Sequence, residues 1–285
     1  MIAIGSHSWQ QQASIFAFEG HAIAQHRAGQ GPALLLIHGF PTSSYDWASM
    51  WPQLATHYSL YAIDMLGFGL SDKPKNYAYS IKASADQWQS YVQANGLLEV
   101  SILCHDYGNT VAQELLARQR EGALPFRIIA VTFLNGGLFP EATFPILMQK
   151  LLRSRLGPVI ARLSSYSSFA RSMRKICTCL PSEDELRAHW QLLIRAGGKS
   201  ILPKIIQYIG ERRVYRARWC EALQHADIPL RAIIGVDDPI SGLSIAKRWR
   251  ELLPGSPCLE LPGVGHYPQW ENPEKLFEVF KTGFY

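Results

Sequence analysis

The sequence predicts an α/β fold, a mostly parallel sheet with an all-helical lid inserted into it, and three observations lead there. Short apolar runs bounded by turn residues alternate with amphipathic helical stretches in the first half of the chain and again at its end. Such alternation builds crossover units and strands buried on both faces. Between those parts, residues 139–222 follow helical periodicity without a strand-like run. The same segment differs in charge: it holds 15 Lys and Arg against 6 Asp and Glu, net +9, while the remainder holds 13 against 17, net −4, within a total of +5. We therefore expect a core from residues 1–138 and 223–285 and a helical lid from 139–222.

Taken in order, the strands read as 33–37 (ALLLI), 59–63 (SLYAI), 100–104 (VSILC) and 128–134 (IIAVTFL). Ile81, Ala85, Trp88 and Val92 recur at helical spacing, and Asn95-Gly96 ends that helix. A second helix occupies 110–120. In the middle, Met148, Leu152, Leu156, Val159 and Leu163 track one helical face, which Gly157-Pro158 must kink or break. A capping box from Ser182 to Glu185 opens a helix that closes at Gly197-Gly198. Residues 201–218 read as helical again. The alternation then returns, with strands at 230–235 and 258–261 and helices at 243–253 and 274–281.

Composition removes whole classes. An apolar fraction of 47% with 18% charged residues excludes a disordered or fibrous chain, and no apolar run approaches the ~18 residues of a membrane-spanning helix. The start, MIAIGSHSWQQQ, has no charged region followed by an apolar run, so no secretory signal is expected. Five scattered cysteines form no disulfide framework, and Cys177-Thr178-Cys179 lacks the second ligand pair of a zinc site. The compartment reads as reducing, the cytosol. No Gly-x-Gly-x-x-Gly or Walker-type loop is present, so no nucleotide cofactor and no metal is expected. No recognition motif accompanies the positive charge, so nucleic acid is not an expected partner.

The chemistry concentrates at strand ends. In 101–116 (SILCHDYGNTVAQELL) a strand ends at Cys104 and a helix starts near Asn109, the setting of a nucleophile elbow. Small residues two positions either side, Cys104 and Gly108, suit a sharp turn around Asp106; an Asp capping the next helix is the structural alternative. His38-Gly39 follows the first strong strand, where open parallel sheets bind ligands. Asp237-Asp238-Pro239 follows the next-to-last strand and His266 the last. Nucleophile, acid and base then stand in chain order, Asp106, an Asp at 237 or 238, and His266.

With these segments in place, the sequence resembles the α/β-hydrolase superfamily over essentially its whole length. The stretch 64–72 (DMLGFGLSD) is similar to that family's glycine-rich turn after the fourth strand. Asp106 and the turn His38-Gly39-Phe40-Pro41 resemble epoxide hydrolases and haloalkane dehalogenases. The segments 105–108 (HDYG), 111–116 (VAQELL), 135–141 (NGGLFPE) and 207–209 (QYI) are closer to the mesoderm-specific transcript-like branch. The resemblance implies the acid at Asp238, immediately before Pro239, and an oxyanion hole from the backbone N–H groups of Phe40 and Tyr107.

An Asp nucleophile needs no deprotonation at neutral pH, and attack on a saturated carbon gives an alkyl ester that His266, supported by Asp238, hydrolyses with water. Dehalogenases hold the halide with a Trp after the nucleophile and often an Asn in the oxyanion turn; here stand Tyr107 and Phe40. Epoxide hydrolases use lid tyrosines as proton donors. Tyr208 is placed by the resemblance, Tyr166 is a second candidate, and Tyr215 lies in the same insertion. The expected activity is epoxide hydrolysis on a small apolar substrate. Haloalkane dehalogenation, ester or lactone hydrolysis, and a non-catalytic binding role on the same scaffold are the alternatives. His38 and His105 are expected to hold backbone, and Trp47, Trp190 and Trp270 to form core and pocket wall. The lid charge gathers in Arg212, Arg213, Arg216 and Arg218 and in Arg171, Arg174 and Lys175. It forms either a solvated helical face that also complements the acidic core or a face resting on an anionic membrane surface. Oligomeric state is not legible.

Overall fold

The structure, a computed structural model, describes residues 4–282, so the first three residues of the N-terminal stretch lie outside it. Helix α1 (Ser6–Gln12) leads into the strands β1 (Ser14–Phe18) and β2 (His21–Ala28), followed by β3 (Ala33–Ile37), α2 (Trp51–Leu54) and β4 (Ser59–Ile63). Helix α3 (Ile81–Ala94), β5 (Glu99–Cys104), α4 (Tyr107–Arg120) and β6 (Arg127–Phe133) continue the alternation. Next come α5 (Leu147–Arg153), α6 (Gly157–Leu163), α7 (Tyr166–Ile176), α8 (Glu183–Ile194), α9 (Leu202–Ile205), α10 (Tyr208–Val214) and α11 (Arg216–Gln224). No strand interrupts them among the described residues. The chain ends with β7 (Leu230–Gly235), α12 (Leu243–Leu252), β8 (Cys258–Leu261), α13 (Pro268–Glu271) and α14 (Pro273–Lys281).

The sheet runs β1-β2-β4-β3-β5-β6-β7-β8, antiparallel at the β1/β2 and β2/β4 seams and parallel elsewhere. Alternate residues of a strand feed opposite layers. Leu35, Ile37, Ile102 and Cys104 pack into one core, and Leu34, Leu36 and Leu103 into the other. That double burial is why the sequence shows continuous apolar runs instead of alternation. In register, Ile37 lies beside Cys104, and Cys104 beside Phe133. The turns after β3, β5 and β6 therefore open on one edge, the carboxyl edge where α/β sheets bind ligands.

Three expectations change. The β1–β2 hairpin was not legible: β1 is an edge strand whose first residues, including Ile15, are solvent-exposed, so it lacks a buried apolar run. The apolar face from Met148 to Leu163 is not one face. The chain leaves helical geometry at Ser154 and restarts with Pro158 in the first turn of α6, which leaves Leu152 buried but turns Leu156, Val159 and Leu163 to solvent. Residues 201–218 likewise divide among α9, α10 and α11. By contrast, Ser182 and Glu185 exchange both capping-box hydrogen bonds at the start of α8, and the chain after it takes positive φ at Ala196 and Gly197.

The β5–α4 junction depends on Gly108. A Cβ there would stand 2.4 Å from the Ile37 carbonyl oxygen and 2.8 Å from that of His38, both backbone atoms that cannot rotate away. Gly108→Ala is expected to cost about 2 kcal/mol in urea unfolding. Gly5→Ala, which meets nothing within 4 Å, should stay within about 0.5 kcal/mol of the parent.

Candidate active site

The turn after β5 puts Asp106 at φ 43°, ψ −102°, a conformation that costs a non-glycine residue about 1–3 kcal/mol and persists only where its surroundings enforce it. The enforcement is visible. Asp106 N–H donates to the Asn135 carbonyl at 2.8 Å, and Gly136 lies so close that a Cβ would be 2.5 Å from the Asp106 Cα. Asp106 is 3% exposed. Its Oδ2 accepts from the Phe40 N–H at 3.2 Å and from the Tyr208 hydroxyl at 3.2 Å. Tyr107 is the first residue of α4, so its N–H has no intrahelical acceptor and lies at the positive end of the helix.

His266 follows β8 and is buried. Its Nδ1 donates to Asp238 Oδ2 at 2.7 Å, which leaves Nε2 as the nitrogen able to accept a proton. Asp238 also accepts from the Ile240 N–H at 2.8 Å, from Asn135 Nδ2 at 3.0 Å and from the Ser241 hydroxyl. Burial disfavours protonated His266, but the Asp238 charge and hydrogen bond together with the Asp106 charge outweigh it, so its pKa is raised. Asp237, the other carboxylate in that turn, is exposed and accepts from the Gly263 N–H at 3.0 Å. The sequence's two options for the acid thus separate in space.

Several supporting residues carried no signal of their role. Asn135 joins the two carboxylates, through its carbonyl to the Asp106 N–H and through its amide to Asp238, and it also pairs with the Gly235 backbone. Glu271 accepts from the N–H groups of Gly265 and Tyr267 on either side of His266, and from Thr178 and Cys179 in the lid. His266 N–H itself donates to the Ile176 carbonyl at the end of α7 at 2.8 Å. His38 Nε2 accepts from the Met65 N–H, and His105 Nε2 donates to the His266 carbonyl at 2.8 Å. Burial holds the His105 pKa down to about 3, so it is a neutral strut.

Arg212 requires the largest correction. Counted from sequence among surface lid charges, it is 4% exposed. From α10 its Nη2 reaches the Asp106 carbonyl at 3.0 Å and Oδ1 at 3.4 Å, and its Nε donates to Thr110 Oγ1 at 2.8 Å. Gly137 makes room, since a Cβ there would stand 2.1 Å from Nη1. Burial pushes the Asp106 pKa up, but Arg212, then His266, His105 and the Phe40 N–H, outweigh it and hold the carboxyl below its ordinary range. Arg216 and Arg218 are paired as well, the first with Glu141 at the surface and the second with Glu114 and Glu121.

The lid tyrosines part company. Tyr208 is fully buried, its ring 4.9 Å from that of Tyr107 and 4.6 Å under the Arg212 guanidinium. Tyr166 is corrected: it stands at the start of α7 with Arg187 4.3 Å over its ring, and its charged neighbours are Glu183, Arg187 and Arg174. None of these belongs to the Asp106 cluster. Tyr215 is half-buried under Lys82. The Tyr107 hydroxyl bonds Ser84 Oγ at 2.8 Å and the Ser80 carbonyl, facing α3.

A cavity of about 80 Å³ lies under the lid. Phe40, Ile240 and His266 line it from the core, and Leu152, Met173 and Trp190 from the lid. Asp106 adjoins it through Phe40, whose side chain lines the cavity and whose N–H bonds the carboxylate. An apolar chamber bordered by a basic histidine, beside an anionic carboxylate with two donors on one oxygen, is equipped for nucleophilic hydrolysis of an apolar substrate.

The comparisons support a hydrolase. Residues 32–273 match the family model described as alpha/beta hydrolase fold. The mesoderm-specific transcript homolog protein of Bos taurus is 36% identical over 290 residues, covering 96% of this chain and 86% of that one. The putative hydrolase LipZ of Mycobacterium tuberculosis is 38% identical over 262 residues, covering 91% of each. Among solved structures, the haloalkane dehalogenase DbeA from Bradyrhizobium elkani superposes with a TM-score of 0.79 at 19% identity, over 94% of this chain and 95% of that one. At that identity it shows the fold alone.

Replacing Arg212 tests the cluster. Arg212→Met leaves a buried carboxylate without its cation and is expected to cost about 3–5 kcal/mol in denaturant unfolding at neutral pH, with Arg212→Lys in between. Since folding depresses the Asp106 pKa, its contribution is present above the ordinary value of 3.8 and lost as pH falls through the depressed one. The gap between the parent and Arg212→Met should therefore narrow below pH 3.8.

Proposed function

This chain belongs to the α/β-hydrolase family, and we propose that it is a hydrolase that opens small apolar epoxides to diols through an ester of Asp106. The observation that carries this reading is the Tyr208 hydroxyl, 3.2 Å from Asp106 Oδ2 and on the same oxygen as the Phe40 N–H. An epoxide needs a nucleophile and a proton donor side by side.

In the first half-reaction Asp106 Oδ1 attacks an epoxide carbon. The carbon–oxygen bond of the ring breaks, and the departing alkoxide takes the Tyr208 proton. Burial, and then the Asp106 charge, hold the Tyr208 pKa well above its ordinary value. Ester formation removes that charge, so Tyr208 becomes a better acid as the alkoxide appears. In the second half-reaction His266 takes a proton from water, and hydroxide attacks the ester carbonyl. The carbonyl oxygen is Oδ2, already in contact with the Phe40 N–H, and Tyr107 N–H completes the oxyanion hole. Losing one such donor costs about 3–4 kcal/mol of barrier. Collapse releases the second diol oxygen, which takes the proton from His266. The carboxylic acid left on Asp106 returns its proton to the Tyr208 phenolate beside it, and the site is restored.

Dehalogenation is disfavoured because the position after Asp106 supplies a phenol turned toward Ser84, and the oxyanion turn supplies Phe40. The experiment compares diol formation from an alkyl epoxide with halide release from the matched alkyl bromide. Diol formation should dominate, and Tyr208→Phe should lower kcat by about 100-fold or more while leaving the fold intact. Halide release equal to or greater than diol formation contradicts the reading.

The pH profile follows from the same geometry. Hydrolysis of the ester needs neutral His266, whose pKa is raised, so activity should fall toward acid with a midpoint above 6.5. Asp238→Asn removes the charge that raises it and should move that midpoint to lower pH while slowing turnover. A profile unmoved by Asp238→Asn separates His266 from the rate-limiting proton transfer.

A further inference from the structure

Residues 142–182 contain seven Lys and Arg and not one Asp or Glu. The fold turns six of them, Lys150, Arg155, Arg162, Arg171, Arg174 and Lys175, to solvent, and among the described residues none stands within salt-bridge distance of a carboxylate. In α10 and α11, by contrast, Arg212 is buried and Arg216 and Arg218 are paired with glutamates, while Arg213 is exposed like the six. The lid's positive charge thus divides into an inward part that is neutralised and an outward part that is not.

Apolar side chains lie along the same segment, on α5, α6 and the turns before them. Phe144, Leu147, Leu156, Val159 and Leu163 are between 55% and 75% exposed. Leu156, Val159 and Leu163 follow at spacings of three and four, one face of α6 and its N-cap, and the break at residues 154–156 is what turned that face outward. Grouped apolar residues of this size on a surface mark an interaction site, whereas single ones need no explanation.

We propose that the α5–α7 face of the lid docks on an anionic lipid surface. A membrane interface accepts such a mixture: apolar side chains enter the boundary between headgroups and acyl chains while the long Lys and Arg stems keep their charges among the phosphates. Anionic lipid supplies the negative charge that the segment lacks. A second copy of this chain fits less well, because a two-fold interface sets this cationic face against itself. The docking also has a purpose in the architecture. Helix α5 contributes Met148 and Leu152 to the cavity wall and α7 contributes Ser168 and Met173, so docking would set the cavity beside the phase in which an apolar substrate dissolves. The inference stands on the surface alone and does not depend on the chemistry proposed for Asp106.

Vesicle flotation of the full chain tests it, with phosphatidylcholine vesicles alone and with vesicles enriched in phosphatidylserine. The protein should float with the anionic vesicles and remain behind with the neutral ones, and raised salt should release most of it. Arg171→Glu with Arg174→Glu and Lys175→Glu should weaken binding by more than about fivefold per site, the factor expected for one cation near such a surface. Leu156→Ser with Val159→Ser and Leu163→Ser should leave a weaker attachment that salt removes completely. Both variants change only exposed residues and should keep the parent's melting temperature and its turnover of a water-soluble substrate. The proposal is overturned if the parent ignores anionic vesicles, if both variants bind as the parent does, or if the apolar substitutions instead convert a dimer to a monomer without affecting flotation.

Discussion

One negative charge organises this molecule. Asp106 keeps its carboxylate almost entirely out of water, and an unpaired ion so placed would cost several kcal/mol even after relaxation. The site answers with the Phe40 N–H, the Tyr208 hydroxyl and the Arg212 guanidinium around one side chain. A strained backbone at φ 43° is also held in place, by Asn135 and by the absence of a side chain at Gly136. These restraints come from three different parts of the chain, so the carboxylate and the tertiary fold stand or fall together.

The lid is part of that arrangement and more than a cover. Tyr208 and Arg212 reach the carboxylate from α10, while the end of α7 accepts the His266 N–H and the 178–179 turn shares Glu271 with the histidine loop. The core contributes Asp106, His266 and Asp238, and the lid sets the electrostatics around the first two. Arg212 makes the carboxylate stable as an anion, and in the proposed mechanism the same contact near Oδ1 relaxes when that oxygen becomes part of an ester.

What could be read from sequence follows from the kind of constraint each element obeys. Strands β3, β4 and β7 matched their expected residues because apolar runs between turns have few other uses in a parallel sheet, and β8 matched although its middle residues are exposed. The order of Asp106, Asp238 and His266 was legible because each sits where a strand must end. Asp237 against Asp238 was separable only by resemblance, since adjacent residues in a turn point in unrelated directions. Arg212 was misread because charge counted along a chain carries no information about burial; its sole clue was Gly137, whose missing side chain makes the room. Tyr166 failed similarly, as a residue type alone does not place a hydroxyl. The α6 face reversed because the break before Gly157-Pro158, which open the new helix, resets the helical phase, after which periodicity no longer says which side is buried.

The partition of charge noted in the sequence consequently separates into two sets: one that stabilises the anionic centre or pairs with carboxylates, and one that faces solvent without a carboxylate partner among the described residues, for which lipid docking is the proposal. At the centre of the account stands Asp106 as the attacking group. The most direct measurement is a single turnover of an epoxide in heavy-oxygen water with enzyme in excess, followed by mass analysis of the peptide containing residue 106. The account predicts heavy oxygen in the Asp106 carboxylate, introduced when water cleaves the ester at its carbonyl, and none in the first-turnover diol. Label in the diol with none in Asp106 would show that water attacks the substrate directly and would contradict it.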